Sequence, residues 1–123
     1  MNQKYTKNEH LKGEKQIKYL FEKGLWASKF PLKIIYTPQL QPDNLHKAGV
    51  SVSKRNFKHS VDRNYIKRLL RECYRLNKNK IYTLFPQAHL LMIIYTGKDK
   101  PTFKELEKNY IKLLEKISSL NKN

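Results

Sequence analysis

Thirteen residues in the middle of the chain, Arg63 to Arg75, hold five cations. Ile66, Leu69, Leu70 and Cys73 fall at i, i+3, i+4 and i+7, the apolar stripe of a helix spanning residues 60–78. Place Ile66 at zero on a wheel of 100° per residue. Arg63, Lys67, Arg71 and Arg75 then fall at about 60°, 100°, 140° and 180°, with Asn64 and Arg68 at about 160° and 200°. The cations form one slanting band away from the stripe, repeating about every 6 Å. That pitch resembles the spacing of phosphates along a nucleic-acid strand. Arginine suits the task, because its planar fork grips phosphate with two bonds and stacks on bases. A merely solvated face usually mixes signs to gain i, i+4 pairs. Only Glu72 lies near this band, and it is expected to pair locally with Arg68 and Arg75.

The stretch before the helix adds Lys54, Arg55 and Lys58, with Phe57 among them. Basic residues interleaved with an aromatic suit a single-stranded nucleic acid. Simple packing of Phe57 under the loop fits equally well. Elsewhere the chain offers little chemistry of its own. No carboxylate pair is spaced to hold catalytic metals, and two-metal phosphodiester cleavage needs such a cage. His10, His46, His59 and His89 are scattered, with no metal-ligand spacing to another His, Cys or acid on one element. Cys73 belongs to the apolar stripe and reads as an inert core thiol. We therefore expect no catalytic residues and no protein-bound metal.

Composition agrees with a polyanionic partner. The chain has 123 residues, one domain by length, and a formal charge of +16. That charge repels itself unless something offsets it. Hydrophobic residues make up 39% of the chain, enough for one modest core, so the charge does not enforce disorder. No apolar run approaches the roughly 18 residues of a membrane helix, and the start does not read as a secretory signal. A single cysteine excludes an intrachain disulfide framework. A small cytoplasmic protein that binds nucleic acid, and no membrane, is the expectation.

These functional segments need elements to hold them. Residues 1–12 read as a loose basic arm and 120–123 as a frayed tail. Residues 14–23 form a short helix with Ile17, Leu20 and Phe21 on one side and Gly24 as its stop. Leu25 to Ser28 and Phe30 to Thr37 are strands, the second placing Leu32, Ile34 and Tyr36 on one face. Pro38 to Asn44 is a loop. Ala48, Val50 and Val52 alternate with Gly49, Ser51 and Ser53, a strand with one face of very small residues that lets another backbone or ligand come close. Ser60 is the expected N-cap of the central helix, with Asp62 in its first turn. Residues 81–87 are a connection, and Leu90 to Tyr95 is a strand buried on both faces. Lys98 lies on the following turn. Thr102 and Glu105 form a capping box for a last helix striped by Phe103, Leu106, Tyr110, Leu113, Leu114 and Ile117. Helices gathered on a small sheet make a two-layer α+β sandwich.

From Gly49 to Arg75 the chain reads GVSVSKRNFKHSVDRNYIKRLLRECYR. This resembles the protein component of bacterial ribonuclease P, whose members carry a G-[VI]-S-V-S-K-[KR] strand and an R-N-R-x-K-R-x-x-R-E helix. Leu11, Ile17, Phe21 and Gly24 resemble its first helix, and the segments after Leu90 its C-terminal end. Tyr65 stands where the family has the second arginine, and the loop Asn56–His59 lacks a glycine common there and is one residue longer. The resemblance implies α-β-β-β-α-β-α order over 1–123, with a left-handed β-α-β crossover where pattern alone predicts a right-handed one. It implies a subunit of a tRNA 5′-maturation endoribonuclease, whose catalytic centre and Mg²⁺ belong mainly to an RNA subunit. Arg63, Asn64, Lys67, Arg68, Arg71 and Arg75 are then expected against that RNA. The 5′ leader of precursor tRNA is expected against Ile17, Phe21, Tyr36, Lys54, Arg55, Phe57, Lys58 and Lys98, with core packing the competing role for Ile17, Phe21 and Tyr36. A non-catalytic ribosomal-type or RNA-chaperone protein is the alternative, and a stand-alone nuclease a third.

Overall fold

The structure is a computed structural model that describes residues 5–39 and 45–120. After a single 3-10 turn at Lys7–Glu9 the order is α1 (Glu14–Lys23), β1 (Leu25–Lys29), β2 (Leu32–Pro38) and β3 (Lys47–Val52), then α2 (Ser60–Leu76), α3 (Lys78–Leu84), β4 (His89–Tyr95) and α4 (Phe103–Leu120). The four strands lie in the order β1-β2-β4-β3. β1 and β2 form an antiparallel hairpin, β2 pairs antiparallel with β4, and β3 runs parallel to β4. The helices α2 and α3 make the crossover from β3 to β4, because parallel neighbours cannot be joined by a tight turn.

Period-2 alternation sorts the side chains to two faces. Ala27, Ile34, Tyr36, Ala48, Val52, Leu91, Ile93 and Tyr95 join Ile66, Leu70 and Cys73 of α2 and the stripe of α4 in the main core. Ile66, Cys73, Tyr110 and Leu113 are fully buried, as the helical spacing predicts. Each such aliphatic contributes roughly 1.5–3 kcal/mol by leaving water. The opposite face carries Ile35, Leu90 and Met92, and α1 lies over them with Leu20, aided by Leu11. β4 is therefore covered on both sides, which explains its unbroken apolar run. At the end of α1 a Cβ on Gly24 would sit 2.4 Å from Ile35 Cγ1, so only glycine lets the chain turn so close to the sheet.

Several sequence expectations need correcting. Tyr36 presents no ring to solvent. It is 5% exposed, and its ring centroid lies 5.3 Å from that of Phe85 in the core. Residues 5–12 are not a loose arm. The Tyr5 hydroxyl and the Leu11 N–H both donate to Ala48 O, and Glu9 meets Lys78 at 2.5 Å in a buried ion pair. The reason is the edge strand β3, whose outer backbone groups need partners. The central helix stops at Leu76, two residues short of the expected end. Buried Asn77 donates through Nδ2 to Cys73 O at 2.8 Å and restarts the chain as α3, so most of the expected 81–87 connection is helical. The N-cap of α2 is His59 rather than Ser60, with no side-chain cap. Thr102 caps α4 as read: its hydroxyl accepts from the Glu105 N–H at 3.3 Å and donates to Glu105 Oε1 at 2.9 Å. Residues 1–4, most of the loop at 38–44, and 121–123 of the tail lie outside the described residues.

Candidate nucleic-acid interface

The cationic band lies on the side of α2 away from the core. Asn64, Arg68 and Arg71 are exposed, and Arg63, Lys67 and Arg75 half-buried. The six residues do not play one part. Arg75 is fixed by Glu72, with Nε to Oε2 at 2.7 Å and Nη2 to Oε1 at 2.9 Å. That hydrogen-bonded pair holds the Glu72 carboxyl below its ordinary value. Arg63 donates through Nη1 to Phe57 O and Lys58 O at 2.8 and 2.9 Å, so it fastens the preceding loop to the helix. Asp62, the other acid of this helix start, is taken by Lys100 at 2.7 Å. Lys67, Arg68 and Arg71 have no carboxylate partner among the described residues. The acids near the band are thus already neutralised. Tyr65, which stands where the resemblance expects an arginine, has a packing role. Its ring packs at the edge of the core, its hydroxyl donates to Pro101 O at 3.3 Å, and Lys100 Nζ lies 5.8 Å from the ring centroid.

The loop after β3 leaves Lys54, Arg55 and Lys58 exposed. Phe57 points the other way. It is 7% exposed and packs against Tyr95, ring centroids 6.1 Å apart, so its face is closed to a base and the expected stacking role is corrected. Asn56 ties this loop to the turn after β4, donating from Nδ2 to Thr96 O and Gly97 O at 3.3 and 3.2 Å. That turn carries exposed Lys98. Lys54, Arg55, Lys58 and Lys98 therefore rim one end of the sheet.

A groove opens on the face that α1 only partly covers. The register aligns Trp26 with Ile35, Ile35 with Met92, and Met92 with Gly49. The next row on the same face is Ser28, Lys33, Ile94 and Ser51. It lies beyond α1, with Ser28 and Lys33 exposed and Ile94 and Ser51 half-buried. Ile17 is half-buried on the sheet side of α1, and Phe21 is 44% exposed beside Trp26, itself 49% exposed, with ring centroids 5.8 Å apart. The structure thus brings Ile17 and Phe21 to the groove, and Lys54 and Arg55 to the adjoining rim. The sequence reading missed Trp26, Lys33 and Ile94. Trp26 and Lys33 are the strand positions that alternate with core residues, which is the signal that would have exposed them. Close approach at the small-residue face of β3 is visible at Gly49, whose Cβ would lie 3.2 Å from Met92 Cε.

Among the described residues no three His, Cys, Asp or Glu are grouped to hold a metal ion. Among the described residues no helix is long and apolar enough to cross a membrane. Burial holds the Cys73 thiol up at about 12, so it is protonated and unreactive near neutrality.

A small α+β domain with a cationic helix on one side of its sheet and an aromatic groove on the other is an RNA-binding module. The family model described as Ribonuclease P matches residues 5–118. Ribonuclease P protein components are similar along most of the chain. That of Chlorobium phaeobacteroides is 32% identical, over 90% of this chain and 86% of its own. That of Clostridium botulinum strain Loch Maree is 31% identical, over 94% and 99%. The RNase P protein structure from Staphylococcus aureus aligns with a TM-score of 0.73 at 20% identity, covering 87% of this chain and 93% of that one. The one from Thermotoga maritima aligns at 0.70 and 19%, covering 88% and 96%. The chain belongs to the ribonuclease P protein family. It is a protein subunit of the ribonucleoprotein endoribonuclease that matures tRNA 5′ ends and works with an RNA subunit. The ribosomal-type and stand-alone nuclease readings give way to this.

Proposed function

We propose that the two faces divide the labour. Lys67, Arg68 and Arg71, with Asn64 beside them, bind phosphates of the RNA subunit. Ile17, Phe21, Trp26, Lys33 and the rim lysines bind the single-stranded 5′ leader of precursor tRNA. Arg63 and Arg75 act indirectly, holding the loop and the helix surface in shape before RNA arrives. The observation that supports this reading is the placement of the surfaces on opposite sides of one rigid sheet. A protein so built touches the RNA subunit and a leader at once without their competing for side chains.

Catalysis then follows from positioning. Mg²⁺ held mainly by the RNA subunit supplies the hydrolytic chemistry. The protein holds the leader so that the scissile phosphate is presented in register, converting a loosely held strand into an oriented one. Cations beside the strand also offset phosphate repulsion, which lowers the Mg²⁺ needed for assembly. We place the complex in the cytoplasm, where precursor tRNA is found.

The test is reconstitution with a ribonuclease P RNA and end-labelled precursor tRNA at low Mg²⁺. Correctly placed cleavage that rises on adding the protein is the expected result. Binding with no change in cleavage, or cleavage by the protein with no added RNA, would contradict it.

A further inference from the structure

Two loops meet at the end of the sheet, and one side chain joins them. The last paired residues of β3 and β4 are Val52 and Tyr95. Beyond them the backbone ladder stops, so the carbonyls of Thr96 and Gly97 need donors from elsewhere. Asn56 supplies them, with Nδ2 at 3.3 Å from Thr96 O and 3.2 Å from Gly97 O. Both partners are carbonyls, so only the amide NH2 can face them. The turn that offers these carbonyls is a fixed post. Thr96 donates from N and Oγ1 to Pro31 O at 2.8 and 3.1 Å, and the Tyr65 hydroxyl and the Lys100–Asp62 pair hold its far end against α2.

We propose that Asn56 is a positioning residue for the leader, holding Lys54 and Arg55 at the mouth of the groove before the strand arrives. This rests on the assignment of these two cations to the leader. Ser51 belongs to the open row of the groove, and the arc 53–56 begins two residues beyond it. Within the arc Ser53 Oγ accepts the Arg55 N–H at 3.2 Å, and Ser53 O accepts the Phe57 N–H at 3.1 Å. Lys54 and Arg55 are exposed, Asn56 is half-buried, and neither cation has a carboxylate partner among the described residues. The fold does not depend on Asn56, because buried Phe57 and the bonds from Arg63 to Phe57 O and Lys58 O already anchor the far end of the loop. What the Asn56 amide adds is the placement of the arc ahead of Phe57. A cation set in place before binding keeps its phosphate contact as affinity, whereas one on a free arc is offset by the cost of ordering it.

The test uses holoenzyme reconstituted with wild-type protein, Asn56→Ala, Asn56→Ser, Lys54→Ala plus Arg55→Ala, and that pair combined with Asn56→Ala. The serine hydroxyl keeps a polar group in the half-buried site but is too short to reach the two carbonyls. Affinities for precursor tRNA, for mature tRNA and for the RNA subunit alone are measured, with matched thermal unfolding. Both Asn56 variants should bind precursor tRNA about threefold to tenfold more weakly, with the other two affinities unchanged. In the background that already lacks both cations, Asn56→Ala should add almost nothing. Three results overturn the proposal: precursor affinity equal to wild type in both Asn56 variants, an equal loss for mature tRNA or the RNA subunit, or a full additional loss in the background without the cations. If the Lys54→Ala plus Arg55→Ala protein itself binds precursor tRNA as wild type does, the assignment of these cations to the leader fails, and Asn56 has nothing to position.

Discussion

The α2 band and the α1 groove are built in opposite ways. The band is one helix reading its own sequence. Its core stripe and its cations share a single 3.6-residue period, so fixing Ile66 and Leu70 in the core fixes where Lys67, Arg68 and Arg71 point. The groove has no such local rule. Phe21 comes from α1, Trp26 and Lys33 from the hairpin, and Ile94 from β4, and only the strand register brings them into adjoining rows. A surface that binds by charge tolerates a loose frame, because phosphate attraction is long-ranged. A surface that binds by stacking needs rings placed within contact distance, and here that placement depends on the whole sheet.

Substitutions can break this contrast. The largest effect should come from the residue that looked like groove and proved to be core. Tyr36→Ala should lower stability by about 3–5 kcal/mol, read from the denaturation midpoint, because it empties the space against Phe85. A small stability loss with a selective leader defect would return Tyr36 to the groove. Next is the band. Replacing Lys67, Arg68 and Arg71 together by Ala should weaken RNA-subunit binding by roughly 1–3 kcal/mol in total, since all three are at least partly solvated. It should also flatten the slope of log affinity against log salt by about 2–3. Unchanged slope means that the band is only a solvated face. Arg75→Ala sharpens the same point. Its guanidinium is already committed to Glu72, so its loss should cost less than that of Arg68 or Arg71 in the same filter-binding assay.

A further effect concerns neither surface. His46 is buried, and its Nδ1 accepts from the His89 N–H at 3.0 Å. Desolvation first, then the nearby His89, lower its pKa to about 4, with a backbone hydrogen bond to Phe85 and the Glu9 charge opposing and Lys78 adding to the fall. The unfolded chain therefore takes up this proton first as pH falls. Stability should be full above about 6.5 and decline from there through about 4. The urea midpoint measured across that range should show the decline, and His46→Asn, which keeps an acceptor for the His89 N–H, should reduce it. An equal slope in both proteins would place the acid sensitivity elsewhere.

How much was legible follows from the same contrast. β2, β3, α1, α2 and α4 were readable because each has one clean period, and β4 because its apolar run is unbroken; the band was readable with α2. What escaped depended on partners distant in sequence. The fastening of residues 5–12 needs Ala48 O on β3 and the pair of Glu9 with Lys78 of α3, 69 positions apart, and no local pattern announces either. The break at Asn77 was hidden because the apolar period runs on past it while the side chain caps Cys73 O. Tyr36 and Phe57 were misplaced for a related reason. An aromatic on a strand or loop reads the same from sequence whether Phe85 and Tyr95 cover it or a base does.

The central claim is that leader recognition and RNA-subunit binding occupy separate surfaces. It is tested most directly by measuring precursor and mature tRNA affinities for holoenzyme carrying Phe21→Ala plus Trp26→Ala, alongside that protein's affinity for the RNA subunit alone. The preference of wild type for precursor over mature tRNA should shrink by roughly 1–3 kcal/mol while RNA-subunit binding stays unchanged. A preference that survives intact, or a matching loss of RNA-subunit affinity, would contradict the account.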